Sequence, residues 1–278
     1  MEIKTLQGIA TEELLTVFNA AFAQYFIPIQ LTLQQFSFKL KVDHVVLEFS
    51  VGAFEQGRLV GFILHGLAPH QGQLTVYNAG TGVLEVFRGQ QLTKKMYQYI
   101  LPILRTTGVD YSILEVIKEN IPAQKVYEQV GFKRLRLLDC YQQNAPIPDT
   151  APNRVQQRTG DHCWLLPQYI QDKTPTWQNS FHAINCYQDS IIQFLVEEQG
   201  ALIASLIVYK TTGRILQLYV EPAHRRKGIG RLLIGRAAAF FPGLSMINVE
   251  HARMDFKAFL EKLGFECTLQ QYEMGLIL

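Results

Sequence analysis

The chain repeats itself, and this constrains its fold more than any other feature. The turn Glu55-Gln56-Gly57 recurs as Glu198-Gln199-Gly200, each time between two apolar runs, and the helix exit Gly131-Phe132 recurs as Gly264-Phe265. Self-similarity read within one sequence predicts two copies of one supersecondary plan. A length of 278 residues fits two domains as well. The expected fold is of the α/β (α+β) class, with two tandem domains, each a mixed, mostly antiparallel twisted sheet flanked by helices.

In the first copy, Thr11 precedes an apolar stripe of Leu14, Leu15, Phe18, Phe22 and Tyr25, which predicts a capped helix ending by Pro28. Thr32 with Gln35 predicts a second helix opened by a capping box and running to about Lys41. Val45–Phe54, Leu59–Leu67 and Gln73–Ala79 read as an antiparallel meander. A helix to about Thr106 follows, with Pro102 expected to kink or shorten it. Tyr111–Ile117 is a strand, Pro122 opens a helix that stops at Gly131, and Phe132–Cys140 is a last strand.

Gln142–Gly160 carries Pro146, Pro148 and Pro152 and almost no large apolar side chain, so it reads as a semi-rigid linker. The expected domains are therefore 1–141 and 161–278. In the second copy Thr174-Pro175 is expected to cap a helix bearing Trp177, Phe181 and Ile184. Strands Ile191–Glu197 and Ala201–Tyr209 mirror the first meander, and a strand at Ile247–Glu250, a helix at Asp255–Leu263 and a terminal strand close the chain.

The stretch Leu216–Arg236 points to chemistry. An apolar strand ends at Pro222, a short basic loop Arg225-Arg226-Lys227-Gly228-Ile229-Gly230-Arg231 follows, and Leu232, Leu233, Arg236 and Ala237 then fall at helical spacing. The first N–H groups of a helix lack intrahelical partners and carry the positive end of its dipole. Glycines at 228 and 230 would admit a bulky anion and permit backbone angles closed to other residues. The sum is a site for a pyrophosphate. The spacing matches neither the dinucleotide fingerprint nor the P-loop.

Arg225-x-x-Gly228-x-Gly230 after a strand ending in Val-x-Pro resembles the acyl-CoA loop of the GNAT N-acetyltransferase superfamily, and the two copies resemble its tandem members. The resemblance implies acetyl-CoA as cosubstrate, held by the loop amides of Arg225, Arg226, Lys227, Gly228, Ile229, Gly230 and Arg231. It implies a strand splayed from its neighbour, with Leu218 and Val220 offering main-chain groups to the acetyl-pantetheine. In the first half, Asn120-x-x-Ala123-x-x-Val126-Tyr127-x-x-x-Gly131-Phe132 resembles the family's helix signature. This implies a cofactor contact for Asn120 and a general-acid role for Tyr127 toward the leaving thiolate, an effect of about 10²–10⁴ in rate. Glu115 is a candidate base for the amine proton.

Each half departs from the pattern in a different place. The first loop reads Arg88-Gly89-Gln90-Gln91-Leu92-Thr93, so Gln91 and Thr93 stand where the second half has Gly228 and Gly230. In the second half Leu260 stands for Tyr127 and Arg253 for Asn120, with Glu250 and His251 as nearby proton carriers. Two functions remain open: N-acetyltransfer to a small-molecule or peptide amine by direct attack, or a weakly active or inactive CoA-binding, sensing or interaction protein.

Composition narrows the partners. A net charge of +2 gives no broad basic field, so nucleic acid is not expected. The longest apolar run, Ala201–Tyr209, is interrupted by Ser205 and too short for a bilayer, and the first residues show no signal-type apolar core. A cytoplasmic protein is the expectation. Cys140, Cys163, Cys186 and Cys267 form no C-x-x-C pair, so reduced thiols packed in the core are expected, without a metal site.

Overall fold

The structure, a computed structural model, describes residues 1–150, 152–160 and 174–278. It divides into two compact units, Met1–Leu135 with Tyr272–Leu278, and Arg136–Gln271.

In unit 1 the strands β1 (Glu2–Thr5), β2 (Val51–Glu55), β3 (Arg58–His70), β4 (Gln73–Val83) and β5 (Tyr111–Ile117) lie side by side in that order. All neighbours are antiparallel except β4 and β5. The β2–β3 hairpin turns on Gln56 and Gly57, with φ of 49° and 77°. Positive φ at both central residues is what a two-residue hairpin twisted with its strands requires. Gln71 and Gly72 (52° and 82°) repeat the device between β3 and β4. Helices α1 (Thr11–Phe22) and α2 (Leu33–Val42) follow β1, α3 (Leu92–Thr106) joins β4 to β5, and α4 (Ile121–Val130) follows β5. One face of α3, with Met96, Tyr97, Ile100 and Leu104, is fully buried beside Val76, Leu114 and Val116 of the sheet.

Unit 2 repeats the plan. Strands β6 (Lys133–Gln143), β7 (Gln156–Thr159), β8 (Ile191–Glu198), β9 (Ala201–Tyr209), β10 (Arg214–Val220), β11 (Ser245–Glu250) and β12 (Phe265–Ile277) are ordered β12-β6-β11-β10-β9-β8-β7. The β8–β9 turn, Gln199 and Gly200, again has two positive φ values, 53° and 80°. Helix α5 (Phe181–Asn185) precedes β8, α6 (Ile229–Ala238) joins β10 to β11, and α7 (Met254–Lys262) leads into β12. Leu233, Ile234 and Leu260 of these helices pack on Phe194, Leu206 and Phe265.

Several boundaries depart from the sequence expectation. The chain is not partitioned at 141 and 161. From Arg136 onward β6 belongs to unit 2, and the last residues of β12 return to unit 1. The stretch read as a linker holds a 3-10 turn, Pro152–Arg154, and strand β7, paired antiparallel with β8. Polar edge strands lack the apolar alternation that identifies a strand, which is why β7 and β1 escape the pattern. Val45 makes only an isolated antiparallel bridge with Gly66 and turns follow to Ser50, whose Oγ donates to Val46 O at 2.8 Å and accepts from His65 N at 2.9 Å.

Caps differ as well. The N-cap of α1 is Ala10, without a side-chain bond, and Tyr25 lies beyond the helix. The α2 capping box of Thr32 and Gln35 is present. Helix α3 continues past Pro102 to Thr106. The helix expected from Thr174 is instead a 3-10 turn (Trp177–Asn179) followed by α5, capped by Ser180 Oγ on Ala183 N. Cys140 is buried as expected, whereas Cys267 is exposed and Cys186 half-buried. Cys163 lies outside the described residues.

The end of the chain fills the core of unit 1. Met274 is fully buried in the same cluster as Leu114, Val116 and Tyr127, with Tyr272, Leu276 and Leu278 packed around it. Deleting Tyr272–Leu278 is expected to melt unit 1, and Met274→Ala to cost about 2–5 kcal/mol. Thermal and urea unfolding of the full chain check this; unchanged midpoints would contradict it.

Candidate active site

Strands β10 and β11 are parallel neighbours that pair only at Arg214 and Ser245. Beyond that point they diverge, while β10 stays paired to β9 through Val220. The result is a wedge with one wall made of the unpaired edge of β10, whose main-chain groups have no neighbouring strand. Unpaired backbone groups are obligatory hydrogen-bonding partners for whatever enters. The wedge is a cleft of about 860 Å³ lined by Ile215–Val220, by Met246–Glu250 and by the loop leading into α6. Leu218 and Val220, predicted to meet the pantetheine, lie on that wall.

The loop takes its shape from backbone geometry. After a 3-10 turn (Pro222–His224), Arg226 adopts φ 62° and Gly228 φ 82°, and Gly228 is the N-cap of α6 without a side-chain cap. The first amides of α6 therefore lack a side-chain acceptor, and Gly228–Arg231 line the cleft, an arrangement that suits an anion. A Cβ on Gly228 would meet nothing within 4 Å, so its left-handed φ is the demand there and the space above it is open. Gly230 also has a packing role. It has no positive φ, and a Cβ on it would lie 3.1 Å from Phe259, so its smallness permits close packing of α6 on α7.

The basic residues divide in role. Arg225 Nε donates to Val220 O at 2.9 Å, which ties the loop to the end of β10. Arg226, Lys227 and Arg231 are exposed around the helix start. Ile229 is buried in the core and fixes the first turn of α6.

Neither second-half residue at the signature positions is a usable general acid. Leu260 is fully buried, and Arg253, the N-cap of α7, places its guanidinium 4.6 Å over the ring of Phe256. Glu250 lines the cleft, whereas His251 turns to Asp139, with Nδ1 2.9 Å from its carboxylate. Burial alone would raise the Asp139 carboxyl, but the bonds from Gln270 and His251, the His251 charge and Tyr141 outweigh it and hold it below its ordinary value.

The sequence reading missed Arg136, Thr176 and Asn248, which also line the cleft. Arg136 sits on a strand assigned by pattern to the first half. Asn248 has φ 58° at an irregularity in the β11–β6 register, a feature with no periodic signal.

Unit 1 carries the same scaffold. Strands β4 and β5 pair at Thr75–Tyr111, Val76–Ser112 and Tyr77–Ile113, and beyond Tyr77 β4 stays paired only to β3. Its loop has the same backbone: Gly89 (φ 80°) stands for Arg226, and Gln91 (φ 58°), the N-cap of α3, for Gly228. Arg88 Nε donates to Val83 O at 3.2 Å, as Arg225 does to Val220. The expected crowding by Gln91 thus leaves the turn itself intact, with a glutamine where the second loop has open space.

The predicted catalytic residues of the first half are not gathered at one face. Tyr127 is 8% exposed and bonded to Thr81 and Asn78 of β4. Burial pushes its hydroxyl up to about 12, the Tyr25 charge adds to this, and the Thr81 and Asn78 bonds oppose it. Asn78 Nδ2 also donates to Tyr97 OH at 2.7 Å. Asn120 Oδ1 caps α4 by accepting from Ala123 N at 3.2 Å, and its Nδ2 donates to Tyr25 OH at 3.2 Å. Glu115 is half-buried on β5; strand alternation puts it on the face opposite Leu114 and Val116, which pack in the cluster with Tyr127.

The comparisons place this geometry. Residues 11–132 match the Acetyltransferase (GNAT) family and residues 190–267 match an Acetyltransferase (GNAT) domain. The chain is a tandem member of the GNAT acetyltransferase family. It is 31% identical over 98 residues to N-alpha-acetyltransferase 30 of Schizosaccharomyces pombe, a match spanning 35% of this chain and 65% of that protein. Its fold is similar to a putative acetyltransferase from Pyrococcus horikoshii (TM-score 0.70, 12% identity, 100% of this chain and 89% of that one). It is similar also to a tandem GNAT protein from the clavulanic acid biosynthesis pathway (TM-score 0.68, 15% identity, 99% and 98% covered). Among the described residues no group of three metal-ligating side chains forms, and no helix is long and apolar enough to cross a membrane.

A buried histidine makes unit 1 sensitive to acid. His65 is fully buried, its Nδ1 lies 2.7 Å from Phe49 O, and burial lowers its pKa to about 4 against the opposing effect of that bond. The neutral ring donates from Nδ1, and Nε2 has no partner among the described residues. Because the folded value lies below the unfolded 6.5, its contribution is complete above pH 6.5. It is lost as pH falls toward 4, by on the order of 3 kcal/mol. Unfolding midpoints between pH 7 and 4 should slope accordingly in the wild type and flatten in His65→Leu; equal slopes would contradict this.

Proposed function

We propose that unit 2 binds acetyl-CoA in the β10–β11 cleft and transfers the acetyl group to a primary amine by direct attack. The reading rests on one observation above the rest: an unpaired strand edge runs toward a helix N-terminus whose cap is an open glycine. The α6 amides hold the pyrophosphate, with Arg226, Lys227 and Arg231 around it. The open edge of β10 near Leu218 and Val220 takes the pantetheine amides and offers an N–H to the thioester oxygen, where negative charge develops. The neutral amine attacks the thioester carbon, the C–N bond forms, the C–S bond breaks, and Glu250 at the cleft wall takes the amine proton directly or through water.

The signature position of α7 offers no tyrosine to the leaving group, because Leu260 stands there. An ordinary aliphatic thiol has a pKa of about 8.5, so its thiolate leaves near neutrality and takes its proton from water. Tyr127, Asn120 and Glu115 lie in unit 1 and have no step in this reaction. A second reading, CoA binding without turnover, is favoured by Leu260 in place of an acid.

Titration calorimetry with acetyl-CoA tests the proposal. Gly228→Gln is expected to fold, since Gln91 already holds the same conformation in unit 1, and to weaken binding about tenfold or more by filling the phosphate space. Gln91→Ala should change it less than about twofold. Equal effects would contradict the assignment. Thiol release with an amine panel separates transfer from binding alone.

A further inference from the structure

The wall of the cleft away from α6 and α7 carries charges of both signs. Val249 packs in the core with Leu233 and Leu260, so Glu250, the next residue of β11, projects from the opposite face of the sheet. Glu250 is in register with Leu138 of β6, and Arg136 lies two residues earlier on that same face. There Arg136 Nη1 is 3.6 Å from Glu250 Oε2 and donates to Thr174 O at 2.9 Å. The two side chains are 16% and 32% exposed, and both line the cleft.

A third polar group joins them. Thr176 also lines the cleft, is 2% exposed, and its Oγ1 has no hydrogen-bond partner among the described residues. A buried hydroxyl with no partner among the described residues is costly, and a polar ligand group at the cleft wall would satisfy it. The turn that presents it is pinned on both sides. Asn179 Nδ2 donates to Ile247 O, and Asn179 Oδ1 accepts from Arg214 Nη2, each at 2.9 Å. The hydroxyl is thus held by a rigid support.

We propose that the acceptor is a free α-amino acid, its amine on Glu250 and its carboxylate on Arg136 and Thr176. An amine carrying a carboxylate a few bonds away enters between Glu250 and Arg136 and replaces their mutual contact with one contact at each end. Glu250 takes the proton from the ammonium and passes it to water, the freed amine attacks the thioester carbon, the C–S bond breaks, and the second amine proton leaves through Glu250 or water. An amine lacking the carboxylate forgoes the contact with Arg136 and gives the Thr176 hydroxyl no acceptor, and the site disfavours it for that reason. This assignment rests on acetyl transfer in unit 2.

The test uses the full chain and thiol release from acetyl-CoA. L-alanine, L-leucine, L-lysine, L-glutamate and L-phenylalanine are each compared with their carboxamides, after calorimetry has established that acetyl-CoA binds. For the best acceptor, the acid is expected to exceed its amide by at least about tenfold in kcat/KM. Arg136→Gln should cut the acid rate by about tenfold or more and the amide rate far less. Thr176→Val should lower the acid rate by roughly threefold to tenfold, through KM. Amides used as well as acids, or an Arg136→Gln loss equal for both, would overturn the proposal. Turnover of simple amines but of no amino acid would overturn it and leave acetyl transfer standing. Failure to bind acetyl-CoA would instead strike the underlying reading, and the calorimetry reports that separately.

Discussion

The site depends on a pairing that stops. Arg214 and Ser245 meet, and from there β10 and β11 part, although each keeps its other neighbour. A sheet interior normally has no unpaired backbone groups, so the open edge of β10 is a row of donors and acceptors held rigid by β9. Everything else in the cleft is arranged around that edge. Helix α6 starts at its open end, Glu250 closes one wall, and the Trp177–Asn179 turn is fastened to Ile247 and Arg214 behind it.

The two units show how one backbone can be reached from different sequences. Both loops need positive φ at two positions, the third residue before the helix and its N-cap. Unit 1 places its glycine at the first and glutamine at the second; unit 2 places arginine at the first and glycine at the second. Each unit accepts one non-glycine residue in a conformation that costs it of order 1 kcal/mol. What differs is the space over the helix start, which only unit 2 keeps clear of a side chain. Unit 1 joins α4 to β4 with Tyr127, Thr81 and Asn78, and its aromatic interior continues through Tyr97 and Phe132.

Much of this was legible in the sequence because it rests on local rules. The duplicated hairpin turns, the capping box at Thr32 and the helix exits at Gly131 and Gly264 follow from residues a few positions apart. The glycine loop could be read for the same reason. Non-local facts were not legible. Nothing in Arg136–Gln143 says that this strand joins the second unit, and nothing in Tyr272–Leu278 says that it fills the core of the first. Arg136 and Thr176 therefore stayed invisible as cleft residues, since pattern assigned one to the wrong half and the other to a helix that is only a turn. Spacing alone suits Gly230 to a phosphate loop, whereas its packing role depends on the Phe259 ring, which no local pattern reveals.

In the proposed function the α6 N-terminus and the free edge of β10 hold an acyl-thioester cosubstrate. A crystal structure of the full chain with acetyl-CoA tests it most directly. The pyrophosphate is expected on the amides following Gly228 and the pantetheine along Leu218–Val220, with the thioester carbon near Glu250. A pyrophosphate seated at Gln91 instead, or an unliganded β10–β11 cleft at saturating cosubstrate, would contradict it.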